Sequence, residues 1–132
     1  MHSPEITRLR RRTWQEIASY YQSGVQESGL ENWAKLQEFA HAMERKPYAS
    51  GLVSVGSLGC ILVFKDAECV PEKGYFLITC SPTDRTSDIG LGFFIAAEHS
   101  SRDLRRFGDV ESAVEQFETQ LEEHCFISNR RE

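Results

Sequence analysis

The sequence predicts an α+β fold with two N-terminal helices, a central antiparallel β-meander of three or four strands, and a C-terminal helix packed on one sheet face. Apolar residues repeat at helical spacing before residue 47 and after residue 101, whereas residues 51–97 are rich in β-branched residues and glycine. Strands flanked by helices are typical of α+β domains, and a length of 132 residues predicts one domain. We expect it to be helical over 4–46, β-sheet over 51–97, helical over 101–126 and frayed over 127–132.

The first predicted helix begins at Ser3, because serine is a good N-cap and Pro4 is tolerated at the first helical position. Gly24 is expected to end it. One face of this helix is apolar and consists of Ile6, Leu9, Thr13, Ile17, Tyr20 and Tyr21. The opposite face consists of Arg8, Arg11, Arg12, Gln15 and Ser19.

A second helix is expected from about Leu30 to the residues before Pro47, since the residue before a proline disfavours helix. Its apolar stripe is Trp33, Leu36, Phe39, Ala40 and Met43. We predict two helices, packed against each other or against a sheet, and one kinked helix is the alternative because Gly24 and Gly29 lie close together.

The predicted sheet contains the segment GLVSVGSLGCILVF, residues 51–64, as either one bulged strand or a hairpin that turns near Gly56-Ser57. The segments YFLITC and IGLGFFIAA follow, and short connections of this kind favour antiparallel neighbours. In the last strand, alternation predicts that one set of side chains faces the core, namely Ile89, Leu91, Phe93, Ile95 and Ala97.

The C-terminal part returns to helical spacing. SSRDLRRF predicts a short helical turn that Gly108 breaks, and Asp109 is expected to cap the final helix. The apolar stripe of that helix is Val110, Ala113, Val114, Phe117 and Leu121. The combined periodicities predict a core of Ile17, Trp33, Leu36, Phe39, Leu62, Phe93, Ile95, Phe117 and Leu121.

The four cysteines contain no CxxC pair, and the first apolar stretch is too interrupted by charged and polar residues to predict a signal peptide. The near-apolar run CILVF is too short to cross a membrane. We therefore expect a soluble cytoplasmic protein with reduced thiols, with two disulfides as the alternative.

No cofactor or metal is expected. The glycines at 51, 56 and 59 are not followed by the Lys-Ser or Lys-Thr of a P-loop, and their spacing does not fit the dinucleotide-binding fingerprint. Among the four histidines, only His124 stands beside another good ligand, Cys125, whereas structural zinc draws on closely spaced ligand pairs.

Two arrangements keep an enzymatic function open as an alternative. Cys80 ends a predicted strand and His99 follows the next one, so the two residues are a candidate nucleophile and base. Asp84 and Asp88 lie in one loop and are candidates for acid–base work. Loops also favour aspartate for conformational reasons. Because the sequence has no cofactor motif, no convincing nucleophile and no metal-ligand spacing, it favours a non-enzymatic protein.

Two charged surfaces favour a binding function. Arg8, Arg11 and Arg12 form a basic face in a chain whose net charge is −5, and Glu111, Glu115, Glu118 and Glu122 form an acidic ridge beside the last apolar stripe. We interpret the two surfaces as halves of electrostatic contacts with another protein or a second copy of this chain, which would make a homodimer.

The leading hypothesis is therefore a small, acidic, non-enzymatic protein-binding protein with a regulatory role, such as an inhibitor, immunity-type protein, adaptor or chaperone. A small cysteine- or carboxylate-dependent enzyme is the alternative. A nucleic-acid-associated accessory protein that uses the arginines is the second alternative, although a basic patch this small would contact few phosphates. No membrane partner is expected.

Overall fold

The computed structural model describes residues 12–28, 33–57, 60–65, 68–69, 71–80, 88–95 and 104–127. It confirms the α+β architecture. The helices are α1 Trp14–Ser28, α2 Trp33–Glu44 and α3 Val110–Glu123. The strands are β1 Val53–Ser57, β2 Cys60–Phe64, β3 Tyr75–Cys80, β4 Ile89–Phe94 and β5 Arg105–Phe107. None of the helices in these ranges combines the length and apolar character that crossing a bilayer would require.

Helix α1 begins at Trp14, so the prediction of a helix running from Ser3 through this region is wrong at Arg12 and Thr13. Thr13 and Glu16 form a reciprocal cap: the Glu16 N–H donates to Thr13 Oγ1 at 3.1 Å, and the Thr13 N–H donates to Glu16 Oε1 at 2.9 Å. This capping box satisfies backbone donors that a continuing helix would have bonded internally. Residues 3–11 of the predicted helix lie outside the described residues.

Helix α1 also continues past its predicted end at Gly24. A Cβ atom at this position would collide with the Trp33 ring, so the glycine allows α1 and α2 to approach closely. The rings of Tyr21 and Trp33 meet edge to face, with centroids 5.1 Å apart. The prediction of two packed helices is therefore confirmed.

The sheet is an antiparallel meander of five strands in the order β1-β2-β3-β4-β5, one strand more than the upper limit of the prediction. Ser57 pairs with Cys60, so residues 51–64 contain a hairpin rather than one bulged strand. Gly56 and Ser57 belong to β1, and the connection to β2, residues 58–59, lies outside the described residues.

Strand β5 occupies part of the segment that was predicted to be helical. Leu91 pairs with Arg105 and Ile89 pairs with Phe107, so β5 supplies a neighbour for β4. Leu104 packs over β4, where a Cβ at Gly90 would lie 3.2 Å from its Cδ1 atom. The prediction of a helical turn is therefore wrong at residues 105–107, because pairing with β4 overrides the local helical preference.

Helix α3 ends at Glu123, three residues before the predicted end at 126, and of the tail predicted to be frayed, 127–132, only Ile127 belongs to the described residues. Cys125 has φ 60°, and the Phe126 N–H donates to the Leu121 carbonyl at 2.8 Å. This is a Schellman motif with a cysteine in the left-handed position that usually takes glycine. It turns the chain back so that Phe126 and Ile127 pack against the core.

The helices cover one face of the sheet. Most of the predicted core lies between the helices and that face. Ile17, Trp33, Leu36, Phe39, Phe117 and Leu121 are buried there, with Phe93 partly buried beside them. Leu62 is buried on the opposite sheet face in a second apolar cluster. Ile95 is 65% exposed, because β4 ends at Phe94, and its predicted core position is therefore wrong.

Candidate protein-binding groove

The Cys80 thiol is a poor nucleophile in this fold. Cys80 ends β3 with only 1% of its surface exposed. Burial raises its pKa to about 11; Asp88 adds to the rise, whereas Lys35 and Arg106 oppose it. The thiolate is the reactive form, so a protonated and inaccessible thiol does not suit covalent catalysis.

The other residues of the two candidate catalytic arrangements do not form a described site. His99 and Asp84 lie outside the described residues. Asp88 lies directly before β4 and is half-buried. Within the described part of the chain, no group of three or more His, Cys, Asp or Glu side chains could hold a metal ion. None of the four cysteines forms a disulfide.

Arg12 is the only described residue of the predicted basic face, since Arg8 and Arg11 lie outside the described residues. Its backbone N–H donates to the Ser54 carbonyl at 2.9 Å, and its carbonyl accepts from Ser54 Oγ at 2.7 Å. Its guanidinium carbon lies 5.9 Å from the centre of the Tyr20 ring. Arg12 therefore lies beside β1 and does not belong to an arginine face on α1.

The acidic ridge lies on α3, but its members differ in exposure. Glu111 and Glu115 are exposed, Glu122 is half-buried, and Glu118 is only 4% exposed. The prediction that all four lie off the apolar stripe is therefore wrong for Glu118. Helix α3 also carries Glu123 and has no lysine or arginine of its own.

Two residues that follow α2 satisfy the buried Glu118 carboxylate. The Tyr48 hydroxyl donates to Glu118 Oε2 at 2.8 Å, and Lys46 Nζ lies 3.4 Å from Glu118 Oε1. A buried charge needs a counter-charge and hydrogen bonds of this kind. The acidic ridge is thus joined at Glu118 to the segment after α2.

A groove of about 800 Å³ separates the exposed sides of α2 and α3. Its apolar part is formed by Ala42, Val110 and Val114. Its charged and polar lining is Glu38, His41, Arg45 and Lys46 from the α2 side, and Glu111, Glu115 and Glu118 from α3. The groove therefore has an apolar floor and an excess of carboxylates.

Packing and capping fix the two walls of this groove. The rings of Phe39 in α2 and Phe117 in α3 lie 5.5 Å apart, which ties the two helices together below the groove. Asp109 caps α3 by accepting from the Ser112 N–H at 2.8 Å and from Ser112 Oγ at 3.1 Å. These bonds lower the Asp109 pKa. The cap places Val110 and Glu111 at one end of the groove.

Two further cavities adjoin the groove through Lys46. One, of about 590 Å³, lies near the start of α1 and is lined by Trp14, Glu44 and Leu52 among others. The other, of about 600 Å³, is lined by Tyr48, Glu118 and Phe126 among others. Lys46 lines both of them and the groove itself, so its side chain lies at their common boundary.

Sequence reasoning found the α3 wall of the groove but missed the α2 wall. Glu38, His41 and Arg45 follow a spacing of three and four residues, which places them on one helical face. That spacing was a readable signal for an exposed polar face. The sequence alone does not reveal that this face stands beside the acidic ridge.

Comparison with known proteins adds no functional assignment, because the chain matches no protein-family model, no curated protein and no solved structure.

Proposed function

We propose that this protein is a non-enzymatic interaction protein that binds a basic segment of another protein in the groove between α2 and α3. The observation that carries the proposal is the combination of an apolar floor and four glutamates in one groove. Such a protein would act as an inhibitor or adaptor. We also propose a cytoplasmic location, which cysteines without disulfides support.

Electrostatics favours a cationic partner. Helix α3 holds five glutamates and no cation, and like charges at helical spacing destabilise one another. Glu38 adds to this charge from α2, whereas Arg45 and Lys46 offset only part of it. A basic partner relieves the repulsion and is steered towards the groove during association.

The apolar floor favours an amphipathic helix as the bound form. Ala42 and Val110 are half-buried and Val114 is buried, so the floor offers apolar contact between the two charged walls. A partner helix would place its apolar side chains on this floor and its lysines or arginines towards the glutamates. This is the helix-in-groove mode of recognition.

The alternative functions have weaker support among the described residues. The burial and raised pKa of Cys80 argue against a cysteine enzyme. Arg12 lies beside β1 rather than on a basic helical face, which weakens the basis for phosphate-backbone binding. The groove is therefore the best-supported starting point for function.

The test is the binding of a fluorescent 14-residue amphipathic peptide with leucines on one face and lysines on the other. The double substitution Glu111→Gln/Glu115→Gln removes two exposed groove charges while keeping side-chain size. We expect slower association at low salt and a flatter dependence of the rate on salt.

Glu27→Gln/Glu72→Gln is the matched control, because it makes the same change in net charge at exposed positions outside the lining of the groove. If both double variants slow association equally, only net charge matters and the groove is not the binding site. Sedimentation of the wild-type protein alone distinguishes a second copy from an external partner. Salt-sensitive self-association that the groove substitutions abolish would reassign the groove to a homodimer.

A further inference from the structure

We propose that Lys46 is a built-in competitor that occupies the innermost cation position of the groove, beside Glu118, until a lysine or arginine of the partner replaces it. This inference rests on the proposed function and identifies the residue pair that makes binding selective. Glu118 is the anionic group, and Lys46 stands in for the partner's cation.

Glu118 has the burial and placement of such a position. It is 4% exposed and yet lines both the groove and the neighbouring cavity at Tyr48. The Tyr48 hydroxyl holds one carboxylate oxygen at 2.8 Å, which fixes the orientation of the group. An ionised carboxylate accepts several hydrogen bonds, so a donated bond from Tyr48 is compatible with a cation at the other oxygen.

Lys46 is held loosely enough to be exchanged. Its Nζ lies 3.4 Å from Glu118 Oε1, whereas strong charge-assisted bonds are about 2.7–2.9 Å long. The Lys46 side chain is 33% exposed, so it can move into solvent without crossing the core. Its backbone stays anchored, because the Lys46 N–H donates to the Met43 carbonyl at 2.9 Å.

Replacement by a partner cation avoids the main cost of opening a buried ion pair. Removing Lys46 alone would leave the buried Glu118 with a weaker counter-charge, which is strongly unfavourable. A partner lysine or arginine that enters as Lys46 leaves preserves the charge balance. Because Lys46 also borders the cavity at Tyr48 and Phe126, its departure would extend the groove into that cavity.

The experiment measures the dissociation constant of the same leucine–lysine peptide for the wild type and five variants. Lys46→Met removes the competing cation and should tighten binding by about two- to fivefold, as expected for one partly exposed charge interaction. Arg45→Met is the matched control, because it removes the same charge from an exposed position on the groove and should have a smaller effect. In a Glu118→Gln background, Lys46→Met should no longer tighten binding.

The possible results separate this inference from the proposed function. If neither the wild type nor any variant binds the peptide, the proposed function is wrong. If the peptide binds but Lys46→Met has no larger effect than Arg45→Met, or keeps its effect in the Glu118→Gln background, the competitor role is wrong. Lys46→Gln is the second variant; if neither replacement folds, Lys46 is an indispensable partner of Glu118 and cannot be exchanged.

Discussion

The Tyr48 hydroxyl donates a 2.8 Å hydrogen bond to the Glu118 carboxylate and so joins the segment after α2 to the middle of α3. A carboxylate inside an otherwise apolar helix stripe would normally be destabilising. Here the bond, together with Lys46, turns it into a specific contact between two distant parts of the sequence. Two members of this contact, Lys46 and Glu118, also line the proposed binding groove.

We predict that Tyr48→Phe lowers the free energy of unfolding by about 1–3 kcal/mol, because it removes a donor from a buried carboxylate while keeping the ring. Urea titration measures the change. Tyr20→Phe is the control, since Tyr20 is partly exposed and its hydroxyl should contribute little. Equal stability of the Tyr48→Phe variant and the wild type would show that the bond does not stabilise the fold.

The sequence predicts those parts of the fold that depend on local periodicity. The apolar stripes of α2 and α3 are repeated at helical spacing, and the alternation of Ile89, Leu91 and Phe93 identifies the core-facing side of β4. These patterns identify which face of each element is buried. They do not identify which surfaces of different elements come together.

The incorrect predictions share that cause. The predicted helix is wrong at Arg12 and Thr13, where the Arg12 N–H bonds to the Ser54 carbonyl of β1 and the Thr13–Glu16 cap then starts α1. The segment of β5 resembles a helical turn until β4 provides a pairing partner. Glu118 reads as a surface residue because Tyr48 and Lys46 are 70 and 72 residues away in sequence.

The C-terminus of α3 offers a stabilising substitution. Cys125 has φ 60°, a left-handed conformation that costs a residue with a side chain about 1–2 kcal/mol. Because the Schellman motif requires this conformation, we predict that Cys125→Gly raises the free energy of unfolding by about 0.5–1 kcal/mol, less than the full strain, since glycine also gains entropy in the unfolded chain.

Urea titration under reducing conditions measures the effect of Cys125→Gly. Cys125→Ala is the control, because alanine retains the Cβ atom and therefore the strain. The exposed Cys125 side chain contributes little packing, so the two substitutions should differ mainly in backbone strain. A Cys125→Gly variant no more stable than the Cys125→Ala variant would contradict the left-handed cap.

The burial of Cys80 predicts a loss of stability in alkali. Burial raises the pKa of this thiol from its ordinary value of 9.0 to about 11, so the folded chain retains a proton that the unfolded chain releases. Its contribution is therefore complete below pH 9 and is lost as the pH rises through 11. Burial also raises the pKa of Tyr21, which destabilises the fold further at high pH.

Comparing the wild type with Cys80→Ala follows the thiol, because Tyr21 is present in both proteins and its raised pKa comes first from burial, with Cys80 the smallest of the causes. At pH 8 the variant should be less stable, since it loses a buried sulfur atom. We predict that this deficit shrinks by about 2 kcal/mol between pH 8 and pH 11, because the alanine variant has no thiol to ionise on unfolding. Urea titrations with reductant at both pH values measure the deficit.

Ile78→Val, a core change on the same strand without a titrating group, should show a deficit that stays constant with pH. If the Cys80→Ala deficit is equally constant, the folded protein does not raise the pKa of the thiol. Only the inaccessibility of Cys80 would then argue against its being a nucleophile.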